Sequence, residues 1–503
     1  MATSFHRAAF ESIGAKALYL FTRLAIPPMV LAKIGLAEYG LWSIAFVLVG
    51  YLGLSVSGLA TVYVREIAQA YERNDAEHAS GMLSTGVAMA LLIGSLFCLG
   101  LACSLPVLLN TFKVSPHLQA LASTLIIATT LVFLADLTLG AWGYVLHALH
   151  RVHEQQRIWV ASFMLEWLLI AVLLQLDFGM QALLVAFIVR YSFSIACAWW
   201  RVQQIWPLLH LAPQFVARRY LAPFLNLGLK SQLSDGCAMI LHSADRLLAA
   251  ISFGSASAAI LDLGSKLPAT ATSIVSGISA VALPRSACMN AEQLRIFYPK
   301  VLRLATFALL PIMPLLVACA PAINLAWLGH HTQAHIILQA MLWLTPAWHC
   351  HILTGSASSA LRGQGRIKLE FVYHALRGVS LGLAYWLSES LLQFISFFAL
   401  GAASSALIYL VIASRALQMR AQQLARTCLL PVSVCYGTAY SLYWLWPWQL
   451  QQRSDAVLAL CQAGLVLTAL LAVLCWTLIL TDSEKHWLGE QYSRFFKREV
   501  HHA

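Results

Sequence analysis

Apolar residues run in blocks of about twenty, broken by short polar interruptions, from near residue 12 to near residue 480. A helix rises about 1.5 Å per residue, so each block is long enough to cross a hydrocarbon layer of about 30 Å. The blocks predict helices at 12–32, 39–64, 81–109, 119–146, 158–176, 180–206, 222–252, 256–283, 301–328, 335–361, 367–387, 391–414, 425–446 and 455–480. Almost nothing remains for a soluble domain. The expected class is an all-α polytopic membrane protein of about fourteen transmembrane helices. The polar start, Met1 to Glu11, runs directly into a full-length span without a short apolar core and cleavage site, so no removed signal peptide is expected.

Composition agrees with the pattern. The chain is 60% hydrophobic and 11% charged, against roughly 25% charged in soluble proteins. A formal net charge of +11 could indicate nucleic acid, but the cations sit in short connections between spans. With the N-terminus inside, twenty-three Lys and Arg fall in the inner connections and three, Lys33, Lys113 and Arg453, in the outer ones. That bias predicts cytoplasmic termini and an even number of spans in a bacterial inner membrane. The outer connections are a handful of residues each, which leaves little room for the chemistry that membrane glycan polymerases and transferases place there.

Cofactor and metal chemistry are not indicated. The eleven cysteines lie mostly inside apolar segments and form no CxxC pair. His147, His150 and His153 share a helical spacing without a carboxylate on the same face, and Arg157 stands where a zincin motif starting at His153 needs its second histidine. No phosphate-cradling Walker sequence occurs, so the chain is not expected to hydrolyse nucleotide or to act as an enzyme.

A short internal echo suggests a duplicated plan. Ala148-Leu149-His150-Arg151 followed by Arg157-Ile158 resembles Ala360-Leu361-Arg362 followed by Arg366-Ile367. Each joins a fourth helix to a fifth if the chain is cut near residue 212. The expected divisions are 1–212 and 213–420 as six-helix lobes, 421–480 as two added spans, and 481–503 as a tail. In that tail Leu488, Tyr492, Phe495 and Phe496 form one apolar arc, as in an interfacial anchor helix.

The run Gly35-Leu36-Ala37-Glu38-Tyr39-Gly40-Leu41-Trp42, then Gly58 and Arg65, resembles the opening of the lipid-linked oligosaccharide flippases of the MATE-like exporter superfamily. Asp245-Arg246-Leu247-Leu248, Phe253-Gly254, Pro284-Arg285 and Leu361-Arg362-Gly363-Gln364-Gly365-Arg366 are similar to later stretches of the same proteins, in the same order. The resemblance covers the first twelve helices, and the last two fit the fourteen-helix members. One departure is Asp262, where the family often carries an aromatic residue. The resemblance implies transfer of undecaprenyl-diphosphate-linked sugar units across the membrane for surface polysaccharide. Membrane lipid is then the surroundings, and a polymerase and glycosyltransferases of the same pathway are possible partners. The alternatives are a cation-coupled multidrug exporter of that superfamily and a membrane-embedded glycan polymerase or transferase.

Ionisable groups at membrane depth are costly and therefore mark function by default. The cations are Arg23, Arg190, Lys230, Arg246, Lys266 and Arg377, and the clearest acids are Asp136, Glu166, Asp235, Asp245 and Asp262. At 100° per residue, Lys16, Tyr19 and Arg23 share a face, as do Ser231, Asp235, His242 and Arg246. Asp262 and Lys266 are four apart, with Ser273 below them. Helices 1, 7 and 8 line the cavity in the resembled family, so Arg23, Lys230, Arg246 and Lys266 are the expected cations for a lipid diphosphate. Asp235 and Asp262 are the expected coupling carboxylates. Each has a plainer reading: Lys230 can snorkel to the inner surface, Asp262 and Lys266 can be an ion pair between helices, and Arg190, Glu166 and Asp136 can be structural glue.

Overall fold

The computed structural model describes residues 22–482 and 485, except 55–56, 150, 226–228, 331–332, 365, 367 and scattered positions between 274 and 288. Among these the regular structure is helical throughout. In chain order the first helices are α1 (22–34), α2 (Leu36–Leu54), α3 (Ser57–Glu72), α4 (Ala76–Thr111), α5 (Pro116–Leu139), α6 (Ala141–Ala148), α7 (Val152–Gln175), α8 (Gln181–Ile205), α9 (Leu229–Phe253) and α10 (Ser255–Thr270). They are followed by α11 (Ala291–Leu309), α12 (Met313–Ala318), α13 (Ala320–Leu328), α14 (Ala334–Gly363), α15 (Lys368–Leu387), α16 (Leu391–Ala416), α17 (Leu430–Leu445) and α18 (Arg453–Leu474). In their described parts all fourteen predicted spans contain helix, and nine segments among the described residues are long and apolar enough to cross a membrane. The protein is an integral multi-pass membrane protein.

Where boundaries move, local chemistry explains it. α4 starts at Ala76 rather than 81 because Asp75 accepts a hydrogen bond from the His78 amide at 2.9 Å, capping the helix. The ninth predicted span begins at Ala291, ten residues early, on a capping box in which Asn290 and Gln293 bond each other's amides at 2.9 and 3.1 Å. It is also not one helix to residue 328. Pro311, Pro314 and Pro321 remove backbone donors, and the chain breaks into α11, α12 and α13.

The chain packs as two compact units, Met1–Asp262 and Leu263–Ala503. The first has a core of large side chains from α3, α4, α6 and α8, including Tyr63, Met82, Trp142, Leu146 and Val202. The second is centred on Tyr298, Met313, Leu353, Tyr409 and Leu467, and its last helices, α17 and α18, pack on α12 and α13. Packing therefore divides the chain after Asp262, about fifty residues beyond the division at 212 drawn from the repeated connection. The tail after 482 lies outside the described residues, Lys485 apart.

Candidate functional site

At membrane depth in the first unit, three arginines are gathered on two carboxylates. On α7, Phe163 and Glu166 are three residues apart and so share a helix face. Glu166 is almost wholly buried, its side chain 1% exposed. It accepts from Arg23 Nη2 of α1 at 3.3 Å, and from Arg190 Nη1 of α8 at 3.3 Å and 3.5 Å. Both guanidinium groups also lie over the Phe163 ring, 4.6 Å and 4.1 Å from its centre, and Arg190 lies over Tyr191 at 4.2 Å. Ring faces attract cations, more so away from water, so the aromatic side chains hold the arginines in place together with the carboxylate.

The two arginines differ in access. The Arg190 side chain is 9% exposed and Arg23 is 23% exposed. Arg23 is thus held at one edge by Glu166 and Phe163 while part of its surface is open, an arrangement that orients a planar donor for an anion. Arg190 also lines a cavity of roughly 260 Å³ with Asp136, Tyr191, Tyr144, Gln155 and Ser162.

The second gathering point is Asp262 of α10. Its Oδ1 receives Arg246 Nη1 of α9 at 2.9 Å, and its Oδ2 receives the Tyr39 hydroxyl of α2 at 2.8 Å. α2 can approach α10 closely because position 40 is glycine. A Cβ there would meet the Ser255 carbonyl oxygen at 2.1 Å. Tyr39 is within electrostatic reach of Arg23 as well as Arg246, so the two gathering points belong to one charged region of the first unit.

Of the residues expected from sequence, the structure brings together Arg246 and Asp262, though each was assigned a different task. Asp262, expected beside Lys266, has one oxygen on Arg246 and the other on Tyr39. Lys266 is half-buried one turn further along α10. The backbone of α9 is described at Lys230, Asp235 and His242, but their side chains are not, and Lys16 and Tyr19 lie outside the described residues altogether. The Arg190–Glu166 contact matches the reading of these residues as structural partners. The addition of Arg23 to Glu166 is new, because 143 residues separate them and no local spacing links them. Tyr39 was also missed as a site residue. Its one signal was its place in the Gly35–Trp42 run.

The sequence pattern of the family described as "Polysaccharide biosynthesis protein" matches residues 30–334. No functionally curated protein matches the chain in sequence. Among solved structures, the lipid II flippase MurJ in an inward closed conformation superposes with a TM-score of 0.71 at 13% identity, over 94% of this chain and 99% of that one. A multidrug resistance MATE family transporter of the MOP superfamily, inward-facing, gives 0.61 at 16% identity over 80% and 94%. A MOP superfamily transporter from Pyrococcus furiosus, described as having a binding pocket of reverse polarity, gives 0.51 at 16% identity over 82% and 93%. At these identities the similarity establishes a shared fold.

Proposed function

This chain belongs to the family of polysaccharide biosynthesis proteins, and from that premise we propose that it is a flippase. Its cargo would be undecaprenyl-diphosphate-linked oligosaccharide units, moved across a bacterial inner membrane for surface or exopolysaccharide. The observation that carries the reading is the coincidence of that family match over 30–334 with a fold shared, over nearly its whole length, with a lipid II flippase.

The physical problem suits the residues. A diphosphate and its sugars cannot cross hydrocarbon alone, because buried charge and unpaired polar groups are costly. Arg23, partly exposed and held by Glu166, offers a fork that can donate two parallel bonds to a phosphate. Arg246, Lys230 and Lys266 are the further cations assigned to the cargo. Asp235 and Asp262 are assigned to coupling, where loss of the Asp262 charge would release Arg246 and Tyr39 together. An exporter of organic cations calls for open carboxylates, whereas Glu166 and Asp262 are both engaged by arginine.

The test is deletion of the gene in its host, followed by surface-glycan analysis and measurement of lipid-linked units in each leaflet. Loss of surface glycan with units accumulating on the cytoplasmic leaflet, reversed by the intact gene, is expected. Units that reach the outer leaflet at the normal rate without the protein would overturn the reading.

A further inference from the structure

The second unit contains a buried charge that the preceding site does not use. Arg377 lies in the middle of α15 and is 7% exposed. Among the described residues it forms no ion pair, and its Nε is buried without a hydrogen-bond partner. A buried cation left without a counter-charge is strongly destabilising, and one at membrane depth carries an insertion cost as well. A fold that retains this arginine therefore calls for a compensating negative charge.

The neighbouring helices of the unit do not provide one. On α15 itself the acid of this face is Glu370, two turns away, and the Arg362 fork holds it with bonds of 2.7, 2.9 and 2.8 Å. The remaining polar groups around that level are neutral hydrogen-bonding side chains. Tyr373, one turn from Arg377 and hydrogen-bonded to its guanidinium, meets His351 Nδ1 of α14 at 2.5 Å. Ser358 of α14 meets the Tyr409 hydroxyl of α16 at 3.0 Å, and Tyr373 and Tyr409 rings lie 5.1 Å apart. Ser405 of α16 reaches Ser380 of α15 at 3.4 Å. Hydroxyls and imidazoles on the helices around a guanidinium, with no uncommitted carboxylate among their described residues, suit an anion site rather than a cation site.

We infer that Arg377, buried without an ion-pair partner among α14, α15 and α16, binds a small monovalent inorganic anion of the halide class inside the second unit. Size selects the class: a guanidinium only 7% exposed leaves no access for a diphosphate bearing sugars. The anion would neutralise the unit's interior and fix the packing of α15, independently of what the protein carries. The inference does not rest on the flippase reading.

The experiment uses full-length protein purified in detergent, with chloride or bromide titrated against gluconate at constant ionic strength. A ligand that binds only the folded state raises its melting temperature with concentration. The wild type should show a saturable rise with either halide, Arg377→Lys a weakened one, and Arg377→Gln none. A wild type indifferent to halide, or an equal rise in folded Arg377→Gln, overturns the site. Bromide-soaked crystals of the wild type need no variant to fold. An anomalous peak against the Arg377 guanidinium is expected, and its absence at saturating bromide, or stabilisation by inorganic pyrophosphate but not halide, overturns the assignment.

Discussion

Arg23 and Arg190 share the Glu166 carboxylate, yet one is partly open and the other closed over by Phe163, Phe187 and Tyr191. The difference separates a group that can meet a ligand from one that holds helices together. Removing the shared acid strands two cations in a buried site. Glu166→Gln should therefore cost about 3–5 kcal/mol, the range for breaking a buried pair, and appear as a lowered melting temperature and membrane yield. Arg23→Ala leaves Glu166 with Arg190, so folded protein should persist while transport is lost. Arg23→Lys keeps the charge without the fork and should recover part of it. Surface glycan per folded molecule is the measurement. Normal output from Arg23→Ala would remove Arg23 from the cargo path and leave it a structural partner of Glu166.

Helix contacts add a constraint that side-chain charge does not show. α2 and α10 meet where Gly40 faces the Ser255 carbonyl, so any Cβ at position 40 pushes against backbone rather than against a movable side chain. Gly40→Ala should destabilise by roughly 1–3 kcal/mol, as overpacking does, and should loosen the Tyr39–Asp262 bond that lies beside it. The prediction is a lower melting temperature together with reduced transport per folded molecule, and unchanged values for both would show that the helices separate freely. The order and number of spans were legible in the sequence because each needs only a local apolar window of about twenty residues. Helix ends and breaks were less so: the capping of α11 by Asn290 and Gln293, and the interruption after Leu309, depend on one or two residues that hydropathy averages away. Glu166 could be recognised as a buried acid, but its bond to Arg23 joins elements far apart in the chain. Likewise Asp262 invited a local pairing with Lys266, while its bonds to Arg246 and Tyr39 come from other helices through tertiary packing.

At the scale of the molecule, the alternation of spans leaves a record in the bonds between chain ends. Within the first unit Lys33 meets Asp177 at 2.8 Å and Lys113 Nζ reaches the Ser252 carbonyl at 2.5 Å, three of them in segments the charge count puts outside and Ser252 at the outer end of its span. Arg201 bonds Glu154 and Arg219 bonds Glu77, all four in segments it puts inside. Within the second unit His330 meets the Gln451 carbonyl at 2.7 Å on the expected outer side, while Arg303 donates to Ile479 and Arg366 to Ala416, both at 2.9 Å, on the inner side. A single missed or added crossing would set residues of several such pairs on opposite faces of the membrane, so these bonds support the alternation. They are the same for either orientation, and the cation asymmetry predicts that both termini face the cytoplasm. A periplasm-active reporter should be silent after Ala503 and active when inserted beside Lys113, Asp177 or His330. A fluorescent reporter that matures only in the cytoplasm should show the reverse at each point. If the pattern inverts as a whole, the alternation stands and the orientation is wrong. If it breaks at one connection, the span before that point has been misread, and the end-to-end bonds crossing it identify which one.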